Sequence, residues 1–199
     1  MKFELVKKEN GLYQLRSLVS FETVDGRVVG AGDFGGHIES PENLSQEGLA
    51  WVFGGAKILG AAKVSGNAVV CGAAVVDGSA QVRGRAKVSG AAQIGGSAEV
   101  YDGAEVSGSA IVFGGAEVYG NARVMGSARI YGTAQVGGSA KIYGAAEVYG
   151  AARVQGDAEV YGVAVSIPLP VLLRNQLETV SGQVVAAGVL IPLPVLLRN

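Results

Sequence analysis

The stretch that begins GLAWVF-GGAKIL-GAAKVS at Gly48 continues in steps of six residues as far as Tyr161. It contains nineteen units of the form Gly-x-Ala-x-Val-x, without an insertion or a deletion. The third position is Ala in all nineteen units, the fifth is Val in fifteen and Ile in four, and the first is Gly in all but the unit that begins at Asp102. A short fixed period of this kind indicates a solenoid.

The alternation within each unit indicates β-strands. Gly, Ala and Val or Ile occupy the odd positions, whereas nearly all charged residues occupy the even ones. A glycine at every sixth residue would also destabilise a helix by about 1 kcal/mol each. We therefore expect odd positions to face the interior and even positions to face solvent. Gly, or Asp102 in its place, supplies the positive φ of a turn, and Ala leaves room for one methyl group at a corner.

This pattern resembles that of the hexapeptide-repeat proteins, in which a small residue follows an aliphatic one at a spacing of four. The segment VYGNAR shows this spacing between Val118 and Ala122, although Gly120 lies two places after the aliphatic residue instead of immediately after it. The resemblance implies an all-β, left-handed parallel β-helix with three six-residue strands, and hence eighteen residues, per coil. Nineteen units then form about six coils.

The period divides the chain into three parts. Residues 1–47 lack it and predict short strands at 3–7, 12–21 and 27–29; residues 48–162 form the predicted β-helix. Residues 163–199 form an apolar tail. Because the first coil of a solenoid exposes unpaired backbone and apolar core, we interpret residues 1–47 as a cap that folds over the outward-facing Trp51.

Within that first part, residues 32–40, residues 43–46 and Trp51 together resemble the leader of some bacterial and phage hexapeptide-repeat proteins of unassigned function. We refer to residues 1–47 as the leader. The resemblance implies an end piece and gives no activity.

The tail contains a duplication, since IPLPVLLRN at residues 167–175 recurs letter for letter at residues 191–199. Pro-x-Pro is found at sheet edges and not in central strands, and residues 163–199 carry only three charged side chains. So apolar a segment either covers the last coil or packs against another subunit. We favour the subunit contact, because two identical apolar segments exceed what one cap needs. The predicted tail contacts are Ile167, Leu169, Val171, Ile191, Leu193 and Val195.

Aromatic residues dominate the sixth position in the second half of the repeat. At a spacing of eighteen residues they would stack in columns and stabilise neighbouring coils by about 0.2–1 kcal/mol per pair. The alternative is a platform for sugars or a lateral contact with another solenoid. The expected stacks are Phe113 with Tyr131 and Tyr149, Tyr101 with Tyr119, and Tyr143 with Tyr161.

Composition narrows the range of partners. The net charge of −1 gives no indication of a nucleic-acid or anionic-membrane partner. Residues 1–20 lack the apolar core of a signal peptide. The longest apolar run, residues 184–197, is fourteen residues long and contains two prolines, so we expect no membrane span. A cytoplasmic protein or a component of a phage particle is the resulting expectation.

The sequence offers few candidate catalytic residues. Many hexapeptide-repeat proteins are acyltransferases with a histidine base between subunits and a loop ejected from the coils. Here the single histidine, His37, lies in the leader, and no loop interrupts the repeat. His37 is therefore a weak catalytic candidate, and with one cysteine and one histidine we expect no metal site and no cofactor.

Two hypotheses remain open. The first is a non-catalytic structural protein that self-associates, as a homo-oligomer or filament, through its ends or its tail. The second is an acyltransferase-like trimer that binds acyl-CoA or a sugar between subunits and uses His37 or tyrosine side chains.

Overall fold

The computed structural model describes residues 1–167 together with four strands between residues 172 and 192, and it describes side chains for residues 1–162. The chain is a β-solenoid of about seven coils with about 18 residues per coil. The part of the chain described here contains no helix long and apolar enough to cross a membrane.

The leader holds five strands and one short 3₁₀ helix, residues Pro41–Asn43. Strands β1 and β2 pair antiparallel, β2 pairs antiparallel with β5, and β3 and β4 form a separate hairpin. These strands are β1 (Phe3–Lys7), β2 (Tyr13–Ser17), β3 (Phe21–Glu22), β4 (Val28–Val29) and β5 (Phe34–Ile38).

Each unit of the repeat contributes one short strand, which consists of its fourth and fifth residues in nearly every case. The repeat strands are β6 (Trp51–Val52), β7 (Lys57–Ile58), β8 (Lys63–Val64), β9 (Val69–Val70), β10 (Val75–Val76), β11 (Gln81–Val82), β12 (Lys87–Val88), β13 (Gln93–Ile94), β14 (Glu99–Val100), β15 (Glu105–Val106), β16 (Ile111–Val112), β17 (Glu117–Val118), β18 (Arg123–Val124), β19 (Arg129–Ile130), β20 (Gln135–Val136), β21 (Lys141–Ile142), β22 (Ala145–Val148), β23 (Arg153–Val154) and β24 (Glu159–Val160).

Every third strand joins the same parallel sheet, which gives the solenoid three faces. Lys57 lies opposite Val75, and Val75 lies opposite Gln93, so stacked residues are eighteen apart in sequence. The predicted spacing is therefore confirmed. We call the faces after their first repeat strands: the β6 face, the β7 face and the β8 face.

The core consists of the odd positions, as the alternation predicts. The Ala and Val or Ile of every unit are at most 1% exposed. All eighteen glycines at the first position have positive φ, and Asp102 has φ 58° in the same place. A Cβ on Gly90 would lie 2.7 Å from the carbonyl oxygen of Gly108 in the next coil, which explains why the corner accepts no larger residue there.

One irregular coil precedes the regular ones and includes the end of the leader. Ile38 on β5 lies opposite Ile58, and Leu44 forms a bridge with Val64. These pairs are twenty residues apart, whereas Val52 and Val70 are eighteen apart. The leader thus adds a coil to the six that the repeat predicts, with two extra residues between Leu44 and Val52.

The leader also satisfies the backbone of the first regular coil. Nζ of Lys2 donates to the carbonyl oxygens of Ala50, at 2.8 Å, and Gly48, at 3.3 Å. Nδ2 of Asn43 donates to the carbonyl oxygens of Ala62, at 2.8 Å, and Gly60, at 2.9 Å. Backbone N–H groups of residues 37, 39 and 45 bond to three further carbonyls of this coil. Burial lowers the pKa of Lys2 to about 8.

Trp51 occupies an outward position but is only 1% exposed, because the leader covers it. Phe3 and Phe21 make edge-to-face contacts with its ring, at centroid distances of 6.2 Å and 5.5 Å. The leader therefore packs directly on the outer surface of the first regular coil.

Strands of the tail continue the three faces and then turn back. β25, β26 and β27 pair parallel with β22, β23 and β24, whereas β27, β28 and β29 pair antiparallel. Of the predicted tail contacts, Leu169, Val171, Leu193 and Val195 lie outside the described residues, and Ile167 and Ile191 are described in backbone only. The tail strands are β25 (Val163–Ile167), β26 (Leu172–Leu173), β27 (Leu177–Val180), β28 (Gln183–Ala186) and β29 (Val189–Pro192).

Over-packing a corner tests the inward assignment of the third position. Ala110 is fully buried, so Ala110→Leu forces three additional carbons into a filled corner. We expect it to lower the free energy of unfolding by about 1–3 kcal/mol. Ala91→Leu, the same change at an exposed second position, serves as the control in urea denaturation. Equal effects of the two variants would contradict the assignment.

Removal of the Asn43 amide tests the capping of the first coil. Its Oδ1 also accepts from the backbone N–H groups of Glu39 and Ser40, so Asn43→Ala leaves both donors and acceptors unpaired. We expect a loss of about 2–4 kcal/mol in the free energy of unfolding. The exposed Asn121→Ala is the matched control. A variant as stable as the parent would show that the amide does not hold the cap.

Candidate functional site

The outward side chains form ladders that run along the solenoid axis. The backbone N–H of each sixth residue donates to a carbonyl of the next coil, as from Tyr101 to Val118 at 3.0 Å. This bond holds equivalent side chains of neighbouring coils next to each other. Three tyrosine pairs stack almost parallel, with centroid distances of 5.0–5.4 Å. They are Tyr101 with Tyr119, Tyr131 with Tyr149, and Tyr143 with Tyr161.

On the β8 face the ladder extends beyond the tyrosine pair. The guanidinium of Arg83 lies 4.2 Å from the ring centroid of Tyr101 and forms an ion pair with Glu99 at 2.9 Å. The Tyr101 hydroxyl donates to Glu117 at 3.0 Å. The pKa of Tyr101 is raised to about 12, mainly because the hydroxyl is partly buried and secondly because it is hydrogen-bonded to the Glu117 carboxylate. The contacts therefore connect successive coils through cation–π, stacking and hydrogen-bond interactions.

The same ladder contains a glycine notch that the sequence pattern did not reveal. Gly137 holds the sixth position one coil after Tyr119, and a Cβ there would overlap the Tyr119 ring. The ring lies over the glycine, and its hydroxyl accepts a hydrogen bond from Nε2 of Gln155 at 2.7 Å, two coils beyond. Tyr119 thus ties three coils together. A signal existed in the sequence, because Tyr119 and Gly137 are eighteen residues apart.

A second notch corrects the predicted stack of Phe113, Tyr131 and Tyr149. Only the two tyrosines stack, at 5.2 Å. The ring of Phe113 lies instead over Gly95 in the preceding coil, where a Cβ would be 2.6 Å from Cε2 of Phe113. Because glycine leaves this space open, the ring fills it, and Phe113 remains 52% exposed. Tyr131, at 37%, is the other clearly exposed aromatic of the repeat in the described part of the chain.

The β6 face carries a column of charged side chains of both signs. Glu105 forms ion pairs with Lys87 at 3.6 Å and Arg123 at 3.4 Å, and Lys141 contacts Glu159 at 2.6 Å. Arg123 and Lys141 lie directly opposite each other, so two like charges meet in the middle of the column. Tyr143 adds a hydrogen bond from its hydroxyl to Glu159 at 3.3 Å. Such exposed pairs stabilise a protein little, and the surface remains solvated.

His37 lies on β5, apart from the aromatic ladders. Its neighbours across the sheet are Gln14 on β2 and Lys57 on β7. Burial lowers the pKa of His37, and the charges of Lys57 and Lys8 lower it further. The imidazole is therefore neutral at pH 7. A neutral imidazole is able to accept a proton. The position of His37 alone shows no geometry for acyl transfer.

A cleft of about 590 Å³ lies between the β3–β4 hairpin and the coils. Its lining mixes both charges, and Lys87 and Glu105 within it already pair with each other at 3.6 Å. The lining also includes Asp102, which is the first residue of the one unit that does not begin with glycine. The cleft is lined by Val24, Gly84, Arg85, Lys87, Asp102, Gly103, Glu105 and Asn121.

Among the described residues, no group of three or more His, Cys, Asp or Glu side chains is placed to hold a metal ion. No model of a known protein family matches the chain, and no curated protein matches it in sequence. The solenoid presents extended ladders on its faces and two small clefts beside the leader.

The Gly137 notch gives a specific test. Gly137→Ala adds one methyl group where the Tyr119 ring lies, so the ring must leave and lose its bond to Gln155. We expect a loss of about 1–3 kcal/mol in the free energy of unfolding. The matched control is Gly115→Ala, where the nearest atom to an added Cβ is 3.7 Å away.

A double-mutant cycle isolates the contact in the same assay. In a Tyr119→Ala background the Gly137→Ala substitution has no ring to displace, and its effect should disappear. An undiminished effect in that background would assign the loss to the backbone at residue 137.

Proposed function

We propose that the protein is a non-catalytic structural component, a rigid β-solenoid of the left-handed hexapeptide-repeat type that self-associates through its apolar C-terminal tail. The observation that supports this proposal best is the difference between its ends. Hydrogen bonds from the leader already occupy the carbonyls of the first coil. The chain beyond residue 162 combines continued sheet pairing with a nearly uncharged sequence.

The leader restricts how the proposed assembly can grow. A coil end with unpaired backbone is a template for another chain. At the leader end, carbonyls on all three faces are bonded, to Lys2 on the β6 face, to the His37 N–H on the β7 face and to Asn43 on the β8 face. Backbone pairing directly onto the first coil is therefore opposed at this end, where β1 is the edge strand of the β7-face sheet. Association by side-chain packing remains open, and we assign it to the tail.

Ladder contacts support a rigid role over a catalytic one. Tyr119, Arg83 and Glu105 each contact side chains of neighbouring coils on the outer surface. Contacts of this kind stiffen the rod along its axis. They stabilise neighbouring coils and do not direct polar groups towards a common reacting atom, which a catalytic site requires.

This role suits a polymer-forming protein or a component of a phage particle, and the left-handedness of the coil remains part of the proposal.

Exposed apolar residues at the leader end give a further contact surface. Leu18 and Val19 are 43% and 44% exposed, and the Leu18 N–H donates to the carbonyl of Lys2 at 2.9 Å, next to the exposed Met1.

Charged substitutions in the tail test the proposal in the full-length chain. Val171→Asp and Val195→Asp place a carboxylate at the same position of each copy of the duplicated segment. We expect each to weaken self-association, and the double variant to sediment as a monomer in analytical ultracentrifugation. Desolvating a charge in an apolar contact is strongly unfavourable.

The control is Phe113→Asp, which changes an exposed aromatic of the repeat. It should leave the mass in solution unchanged. A monomeric parent protein, or a double variant that keeps the parental mass, would refute self-association through the tail. Electron microscopy of the same samples distinguishes filaments from closed oligomers.

A further inference from the structure

The outward side of the leader carries a cluster of basic side chains that the proposed structural role does not use. His37 projects from β5, and Lys57 lies opposite it on β7. Beside them, an open, shallow cavity of about 500 Å³ borders the β1–β2 turn, and we call it the His37 cavity. Its lining residues are Lys7, Lys8, Glu9, Asn10 and His37.

Positive charge in this region is poorly compensated. Lys57 faces the uncharged Val75 in the next coil, not an acid. Among the ion pairs of the described residues, none involves Lys7, Lys8 or Lys57. Glu9 is the single carboxylate in the cavity lining, and the nearby Glu4 is paired with Arg16 at 3.1 Å.

The charges of Lys57 and Lys8 both act on the imidazole of His37. After burial, the two causes that lower the pKa of His37 are the charges of Lys57 and Lys8. An anion in the cavity would counter both charges and would favour the protonated imidazole.

A polar atom of His37 also lacks a partner. Its Nδ1 is buried and makes no hydrogen bond, and buried polar groups of this kind are normally paired. Because Nδ1 is buried in the present orientation, only a turn of the ring about its Cβ–Cγ bond brings Nδ1–H to a ligand oxygen in the cavity. The cation–π contact of Lys8 with Phe34, at 5.7 Å, holds the lysine over a ring that is 57% exposed. Phe34 thus offers an apolar surface next to the cavity.

We propose that the His37 cavity binds a phosphate group, with Lys8 and Lys57 supplying positive charge and His37 donating a hydrogen bond to a phosphate oxygen. Phosphate chemistry suits a pair of lysines, which bind it as point charges. The exposed Phe34 favours a phosphate ester of an apolar or aromatic group over the free ion. This site is independent of self-association through the tail.

The single histidine makes the test direct, because the imidazole Cε1–H gives one signal in a ¹H–¹³C NMR spectrum of the full-length protein. The signal is followed from pH 5 to pH 8 in sodium phosphate and in sodium chloride at equal ionic strength. We expect a saturable shift with phosphate and a rise of about one unit in the pKa of His37 relative to chloride. Identical titrations in the two salts would overturn the proposal, since they would show screening alone.

Two matched variants locate the site. Lys57 and Lys63 hold the fourth position of consecutive units but belong to different faces. Lys57→Gln should weaken phosphate binding about fivefold, whereas Lys63→Gln should leave it unchanged. Equal losses would assign the effect to the net charge of the protein and would refute the cavity.

The identity of the phosphate group follows from two further ligands in the same assay. Adenosine 5′-monophosphate should bind more tightly than inorganic phosphate if the ring of a phosphate ester packs on Phe34, and Phe34→Ala should remove that difference. Adenosine alone should give no shift of the His37 signal. Binding of adenosine as tight as that of its monophosphate would refute phosphate recognition.

Discussion

Close approach of successive coils at the corners is the constraint on which the rest of the structure depends. The first-position glycine of one coil lies so near a carbonyl of the next that a Cβ at Gly90 or Gly108 would come within 2.7 Å of it. The position requires a positive φ, which glycine adopts without a side chain near that carbonyl, and Asp102 is the one exception among the nineteen units. Stacked residues are eighteen apart, so the core residues align and the outward side chains lie next to their equivalents in the neighbouring coils.

The regular part of the fold was predictable because each unit is locally consistent. Gly, Ala and Val or Ile each occupy the one position whose geometry requires them, so period and alternation determined strands, burial and register. The leader was harder to predict. Ile38 and Leu44 keep the six-residue step, but Gly36 replaces the corner alanine and two extra residues follow Leu44. One irregular coil therefore lacked a visible period, although the strand at Phe3–Lys7 was predicted with its correct bounds.

Surface features were less predictable, since they depend on the orientation of each side chain and not only on the position of its Cα atom. The eighteen-residue rule identified the tyrosine pairs. It failed for Phe113, because the space above Gly95 attracts the ring to the preceding coil. The His37 cavity and the lysine beside it involve three separate segments, with Lys8 on the β1–β2 turn, His37 on β5 and Lys57 opposite His37 on β7. The sequence offers no periodicity that would connect them.

The leader's bonds to the first coil also give the chain a direction of assembly. The leader is synthesised before the coils, and it presents the donor groups of Lys2 and Asn43 to carbonyls that emerge 17 to 48 residues later. Each later strand pairs with a strand of the preceding coil, which lies only eighteen residues earlier in the sequence. Contacts of such short sequence separation form quickly. Winding can therefore keep pace with translation from a template already in place, which limits the time that an open coil edge is available to neighbouring nascent chains.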